Sequence, residues 1–215
     1  MKKSFLQINL ILLFNFCVFS HALTEQKNYF KGKFYKTIEN NFLVATEKIK
    51  DNKFDKTVIV MLNNTKDGAF GLVVNKPLGY VPLGNIINKE IKTFEQKDLK
   101  IKELYDVKVP VYWGGPVDEN KIFVLHSKEY KNDSTREYKN ISLSGDYKVL
   151  FEIASNKGPK GSLIIMGYSG WASGQLEGEM ERDWWTLSEI DVDLIFETKD
   201  SKKWPDAIKK SFTRL

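Results

Sequence analysis

Two neighbouring runs restrict the fold of this chain more than anything else in it. Thr57-Val58-Ile59-Val60-Met61-Leu62 and Ala69-Phe70-Gly71-Leu72-Val73-Val74 are almost continuously apolar and rich in β-branched residues, with Lys66-Asp67-Gly68 between them. A strand with one wet face alternates polar and apolar residues, whereas a strand covered on both faces need not. The pattern predicts two doubly covered strands paired as an antiparallel hairpin, ended by Asn75-Lys76-Pro77. The chain has 215 residues, 42% of them hydrophobic, enough for one well-packed core and marginal for two.

Around this hairpin the pattern is mixed. Phe42–Thr46, Val107–Trp113, Ile122–His126, Ser162–Tyr168 and Asp193–Glu197 read as strands, and Val107–Trp113 is stopped by Gly114-Gly115-Pro116. Short helices are expected around Asn85–Ile91 and Asp98–Tyr105. Lys128–Asn140 is highly charged and reads as a surface excursion. Asp146–Ser155 reads as a helix closed by Gly158-Pro159, and Ser173–Asp183 as a short amphipathic helix with Leu176 and Met180 one turn apart. Ser201 is expected to cap a last helix that has Pro205 in its first turn. Strands dominate early and helices are interspersed late without strict alternation, which argues for an α+β fold over a doubly wound sheet.

The N-terminus stands apart. Met1-Lys2-Lys3 is a positive start, Leu10–Phe19 is an apolar run interrupted only by Asn15, and Ser20-His21-Ala22 offers small residues where a signal peptidase cuts. The apolar run is shorter than the ~20 residues needed to span a bilayer. Residues 1–22 are therefore expected to be a secretory signal, 23–39 a linker and 40–215 the folded domain, placing the mature protein in the periplasm or outside the cell. Cleavage would remove two of the 33 basic residues, leaving 31 against 28 acidic ones and a net charge of +3. It would also remove the only Cys and one of two His. The mature domain then has no thiol nucleophile, no disulfide and no Cys/His metal cluster, and no cofactor is expected.

Few residues remain that could do chemistry. His126 ends a strand and is the sole imidazole of the mature chain. A nucleophile elbow would need G-x-S-x-G, and Gly167-Tyr168-Ser169-Gly170 is one residue short of it. The segment from Gly167 through Gly170, Trp171, Gly174 and Gln175 to Glu177 and Glu179 carries four glycines between a strand and a helix. Backbone N–H groups there could meet an anion, but Glu177 and Glu179 in the first turns oppose a phosphate. Glu177 with Glu181, and Glu179 with Asp183, stand one turn apart, as either a solvated acidic face or an acid–base pair. The tryptophans Trp113, Trp171, Trp184, Trp185 and Trp204 read as core or interface aromatics, with a binding platform as the alternative.

The order of these motifs resembles the YqgE/AlgH family of bacterial proteins. The resemblance rests on Phe42-Leu43-Val44-Ala45-Thr46, on Asp67-Gly68-Ala69-Phe70-Gly71-Leu72-Val73-Val74-Asn75-Lys76-Pro77, on Gly114-Gly115-Pro116-Val117 and on Leu125-His126. It continues through Gly167-Tyr168-Ser169-Gly170-Trp171, Gly174-Gln175-Leu176-Glu177-Gly178-Glu179, Trp184, Leu194-Ile195-Phe196 and Trp204, and spans roughly residues 40–212. It implies a single compact α+β domain whose central, mostly antiparallel sheet is split or barrel-like and flanked by helices. It implies no defined reaction, since most relatives are uncharacterised and some are labelled transcriptional regulators. The chain departs from the family in its export signal and in having Glu47 where a proline commonly stands.

The expectation is a non-catalytic binding or regulatory protein with an unknown protein or small-molecule partner. Its candidate cleft is made of Asn75, Gly114, Gly115, His126, Gly167, Gly170, Trp171, Gln175, Glu177 and Glu179. The first alternative is an enzyme pairing His126 with Glu177 or Glu179 in one cleft. The second is a cytoplasmic transcriptional regulator, although a mixed-sign +3 is a weak footprint for nucleic acid. No transmembrane helix is expected in the mature chain.

Overall fold

The computed structural model describes residues 38–87, 106–146 and 148–211. The signal segment, nearly all of the linker and the helix expected at Asp98–Tyr105 lie outside the described residues. Ile38, assigned to the linker, is fully buried in the core.

The predicted hairpin forms the spine. β1 (Asn41–Ala45), β2 (Val58–Thr65) and β3 (Gly68–Val73) are antiparallel neighbours. β4 (Pro77–Pro82) pairs with β5 (Lys108–Trp113), and α1 (Leu83–Ile87) follows β4. β6 (Val117–His126), β7 (Thr135–Glu137) and β8 (Ser142–Ser144) precede α2 (Lys148–Ala154). β9 (Ser162–Ala172) leads into α3 (Gln175–Glu181), β10 (Trp185–Glu189), α4 (Val192–Phe196) and α5 (Asp200–Lys210).

Among the described residues the sheet runs β10-β1-β2-β3-β9-β6-β8-β7, with β5 also on β9 and β4 on β5. All pairings are antiparallel except β5 with β9. The sheet curls strongly into a half-barrel, the α+β, mostly antiparallel architecture that the motif order implied. Its inner face carries Phe42, Val44, Val58, Val60, Leu72, Phe123, Leu125, Leu163 and Ile165. Leu194 and Ile195 of α4 and Ala207 of α5 fill that face over β1, β2 and β10. Two further clusters lie on the outer side, one over β1–β3 and β10 under α3, the other between β5, β6, β9, α1 and α2.

β9 is the element on which the architecture turns. Its first half pairs with β6 on one side and β5 on the other, and its second half with β3. Ile164 packs outside and Ile165 inside, as alternation requires. Tyr168 then packs inside and Trp171 outside, so the alternation has slipped by one residue. Gly167 lies between, at φ +71°, and the β6 register shifts opposite it. A one-residue slip exchanges the faces of everything beyond it. Gly167 is therefore the hinge that sends Tyr168 into the concavity and Trp171 under α3.

Several expectations are corrected. Asp193–Glu197 is not a strand: α4 runs through it, started by Asp191, whose Oδ1 accepts from Asp193 N (3.0 Å) and Leu194 N (3.2 Å). The last strand is instead Trp185–Glu189. The charged excursion contains β7, and β9 extends four residues past Tyr168, so the glycine-rich segment begins as strand and only its end is helix. Lys199, not Ser201, occupies the cap position of α5, and Pro205 falls in its second turn.

Candidate functional site

The residues expected to form a cleft come together largely as packing. Gly114 and Gly115 cross β9 at Gly167–Ser169, where β5 gives way to β3. Gly114 N donates to Met166 O (2.7 Å), and its carbonyl accepts from Val73 N (3.1 Å) and Ser169 Oγ (3.0 Å). A Cβ on Gly114 would strike the Gly167 carbonyl, and one on Gly115 (φ +147°) the backbone of Tyr168 and Ser169. The crossing admits glycine alone and leaves no room for a ligand. Asn75 is a clamp: its Oδ1 accepts from Val58 N and its Nδ2 donates to Lys56 O, both at 2.8 Å.

Trp171, Gln175 and Glu179 form a closed knot under α3. Glu179 Oε2 accepts from the indoles of Trp171 and Trp185, each at 2.8 Å, and its Oε1 accepts from Gln175 Nε2 (2.9 Å). Gln175 Oε1 accepts from Ala172 N (3.1 Å). Every hydrogen-bonding group of the knot is used, and the two indoles meet edge to face at 6.0 Å. The paired acidic faces do not form. Glu177 is buried at 2% exposure with Oε1 unpartnered, Glu181 is exposed, and Asp183 pairs with Lys48 (2.6 Å). No group of three or more metal-ligating side chains occurs among the described residues. Gly170 is exposed and lies against the Tyr168 ring.

His126 lies elsewhere. It pairs across β6–β9 with Ser162, whereas Trp171, the contact of Glu179, pairs with Ala69, on the order of 30 Å further along β9. The ring is fully buried. Nδ1 is 2.9 Å from Ser127 O, which can only accept, so Nδ1 carries the proton and Nε2 accepts from Ser144 Oγ at 3.0 Å. Ser144 in turn meets Thr135 Oγ1 at 3.1 Å, tying β7 and β8 to β6. Burial holds the imidazole below its ordinary value, against the opposing pull of Ser127 O and Glu129. His126 and the helix α3 carboxylates are not joined in one cleft.

A second buried polar cluster gives no sequence signal beyond its helical position. Lys203 of α5, 2% exposed, donates to Val74 O (2.9 Å) and pairs with Asp200 (2.8 Å), its Nζ 5.2 Å from the Tyr112 ring centre. Burial lowers the lysine, and burial with the Asp200 carboxylate pushes the Tyr112 phenol up to about 12. All its members are partnered, so it reads as a fastener between α5 and the end of β3.

The open part of the concave face is different. Beyond the reach of α4 and α5, Leu62, Phe70, Phe123, Tyr138, Leu143 and Tyr168 line a groove of about 670 Å³, with Glu39, Asn63, Lys121, Ser134, Arg136 and Gly145 completing its wall. Phe70, Phe123 and Tyr168 form one aromatic cluster with ring centres 4.9 to 6.2 Å apart, and Lys121 Nζ stands 5.4 Å from the Phe123 centre. Arg136 has no ion-pair partner among the described residues, and neither the Tyr138 nor the Tyr168 hydroxyl makes a hydrogen bond there. These residues escaped notice in the sequence because six strands contribute them and only the slip at Gly167 turns Tyr168 inward. A smaller concavity of about 280 Å³, lined by Ile86, Val124, Ser144 and Leu150, opens on the outer face and shares Lys121 and Gly145 with the groove.

Among the described residues no helix is long and apolar enough to cross a membrane. The fold is similar to the solution structure of the AlgH protein from Pseudomonas aeruginosa, with a TM-score of 0.66, 30% identity, and coverage of 80% of this chain and 88% of that one. It is also similar to protein DIP2367 from Corynebacterium diphtheriae (TM-score 0.58, 17% identity, 80% and 85% coverage), a likeness of fold alone. A UPF0301 protein of Methylococcus capsulatus is 40% identical over 169 residues, 78% of this chain and 88% of the relative. One from Rickettsia prowazekii is 35% identical over 179 residues, 82% and 90%. A family model described as AlgH-like matches residues 42–214, and the chain belongs to that family, UPF0301/AlgH-like, whose biochemical role is uncharacterised.

Proposed function

We propose that this protein is a non-catalytic binding protein acting outside the cytoplasm, and that its ligand occupies the aromatic groove on the concave face of the half-barrel. One observation carries the reading: the groove is the part of the inner face that α4 and α5 do not fill, and it is lined by aromatic rings with polar groups at its rim. Ligand sites are typically concavities of roughly 300–1,000 Å³ with apolar walls and a few convergent polar groups. Support for a binding role over catalysis comes from the way His126, Glu179 and the glycine crossing are already engaged by the fold.

The test is saturable binding of a neutral aromatic probe, N-phenyl-1-naphthylamine, followed by fluorescence. Phe70→Leu and Tyr168→Ala should weaken it about tenfold, as loss of ring contact and buried area predicts, while Trp171→Phe on the opposite face leaves it unchanged. Equal affinity in all four proteins would remove the groove as the site. Export is the expectation from residues 1–22; N-terminal sequencing of the fractionated protein should find Leu23 first, and an intact Met1 in the cytoplasm would overturn it.

A further inference from the structure

We infer that the groove selects a small aromatic anion, a carboxylate or sulfonate on a flat apolar body, seated on Phe70, Phe123 and Tyr168 with its charge between Lys121 and Arg136. This rests on the groove being the binding site and names the ligand's chemistry. The floor sets the apolar part: three rings packed at 4.9 to 6.2 Å present faces and edges on which another ring can stack.

The rim sets the charge. It brings two cations and two phenols against one carboxylate, Glu39. The Tyr138 and Tyr168 hydroxyls make no hydrogen bond among the described residues and are not sealed from solvent, so both face the open groove as donors. The Tyr138 phenol is a donor at neutral pH, and burial raises it further. Arg136 likewise lacks an ion pair, whereas the neighbouring Lys131 and Glu137 neutralise each other at 2.6 Å. Lys121 stands over the Phe123 ring, so a group lying on that ring meets its ammonium. These groups are donors open to the groove, and an acceptor with negative charge complements them. Arg offers such an anion a planar fork of donors, and charge-assisted bonds of this kind are about twice as strong as neutral ones. Glu39 excludes a second negative group at its end of the groove, favouring a monoanion.

The experiment compares two probes with the same anilinonaphthalene body on the full domain: N-phenyl-1-naphthylamine, which is neutral, and 8-anilinonaphthalene-1-sulfonate, which is anionic. Wild-type protein should bind the sulfonate about tenfold more tightly than the amine, the preference that one hydrogen-bonded charge supplies. Arg136→Gln and Lys121→Gln should each cut that ratio several-fold, weakening the sulfonate more than the amine, and added salt should lower it. Glu39→Gln should raise it. Lys139→Gln, a cation outside the groove, should leave it alone. Equal binding of both probes, or a ratio insensitive to Arg136 and Lys121, overturns the anion inference while the groove survives. Failure of both probes to respond to Tyr168→Ala overturns the groove itself.

Discussion

Two aromatic clusters sit back to back on β3 and β9, and they differ in whether their polar groups are used. Under α3, Trp171 and Trp185 bury their indoles against Glu179, and Gln175 closes the ring of bonds. In the concavity, Phe70, Phe123, Tyr138 and Tyr168 surround an open volume, and among the described residues their phenols make no hydrogen bond and the adjoining cations no ion pair. A closed polar knot in a low-dielectric setting rigidifies what it joins. An open set of donors over apolar walls is what recognition needs. The distinctive motif of this chain belongs to the closed cluster, and the surface suited to binding belongs to the plain one.

The comparison breaks most visibly if Glu179 is removed. Glu179→Ala strands two largely buried indole N–H groups and the amide of Gln175. Leaving such groups unpaired costs roughly 1–3 kcal/mol each where water cannot reach, so a total loss of about 3 kcal/mol is expected for this half-buried site. In a domain of this size that lowers Tm by about 6–12 °C. Glu179→Gln keeps an oxygen for both indoles and should lose only about 1 kcal/mol. Thermal unfolding followed by tryptophan fluorescence reads both. A Glu179→Ala protein as stable as wild type would mean that the knot is not structural, and the carboxylate would return as a functional candidate.

His126 sharpens the comparison from a third place. Its folded ring takes up a proton below the ordinary 6.5, because burial disfavours the imidazolium. The unfolded chain takes the proton up at the ordinary value. As pH falls through 6.5 the unfolded state therefore binds more protons and gains on the folded state. The stability contribution is complete above pH 6.5 and fades on acidification toward the folded value. Urea midpoints should fall between about pH 7.5 and 5.5, above the carboxylate range, and His126→Ala should flatten that slope while lowering stability throughout. A catalytic or ligand-facing imidazole open to water would show no such slope.

These outcomes bear on what could be read from residues alone. The hairpin at Thr57–Val74 was legible because doubly covered strands write continuous apolar runs. The helix at Val192–Phe196 was misread because five residues of mixed apolar type fit either period, and the deciding cap, Asp191, lies outside the run. β8 is three residues of Ser-Leu-Ser, whose pairing with β6 no local pattern announces. Asn75, the Gly114-Gly115 pair and the Trp171–Glu179 segment stand out in the sequence because close crossings and clamps demand their glycines and amides. Their purpose was hidden because a glycine required by packing and one required by a ligand look alike in sequence. The groove was hidden for a different reason: alternation along β9 would turn Tyr168 outward, and only the φ +71° of Gly167 reverses it.

The smallest expected effect is the most discriminating. Arg136 and Lys121 are exposed and hold no salt bridge among the described residues, and the one contact of the Lys121 charge is the face of Phe123, so the fold draws little on either. Arg136→Gln and Lys121→Gln should shift unfolding free energy by no more than about 0.5 kcal/mol. Removing either charge relieves its repulsion with the other, since neither holds an ion pair among the described residues. Urea titration of each variant measures this. A loss of 1.5 kcal/mol or more in either would show that the cation is a strut like Glu179, and the contrast between a closed and an open cluster would collapse. Unchanged stability leaves two cations and two phenols held at an aromatic groove for no purpose internal to the fold, and that surplus is what a ligand would use.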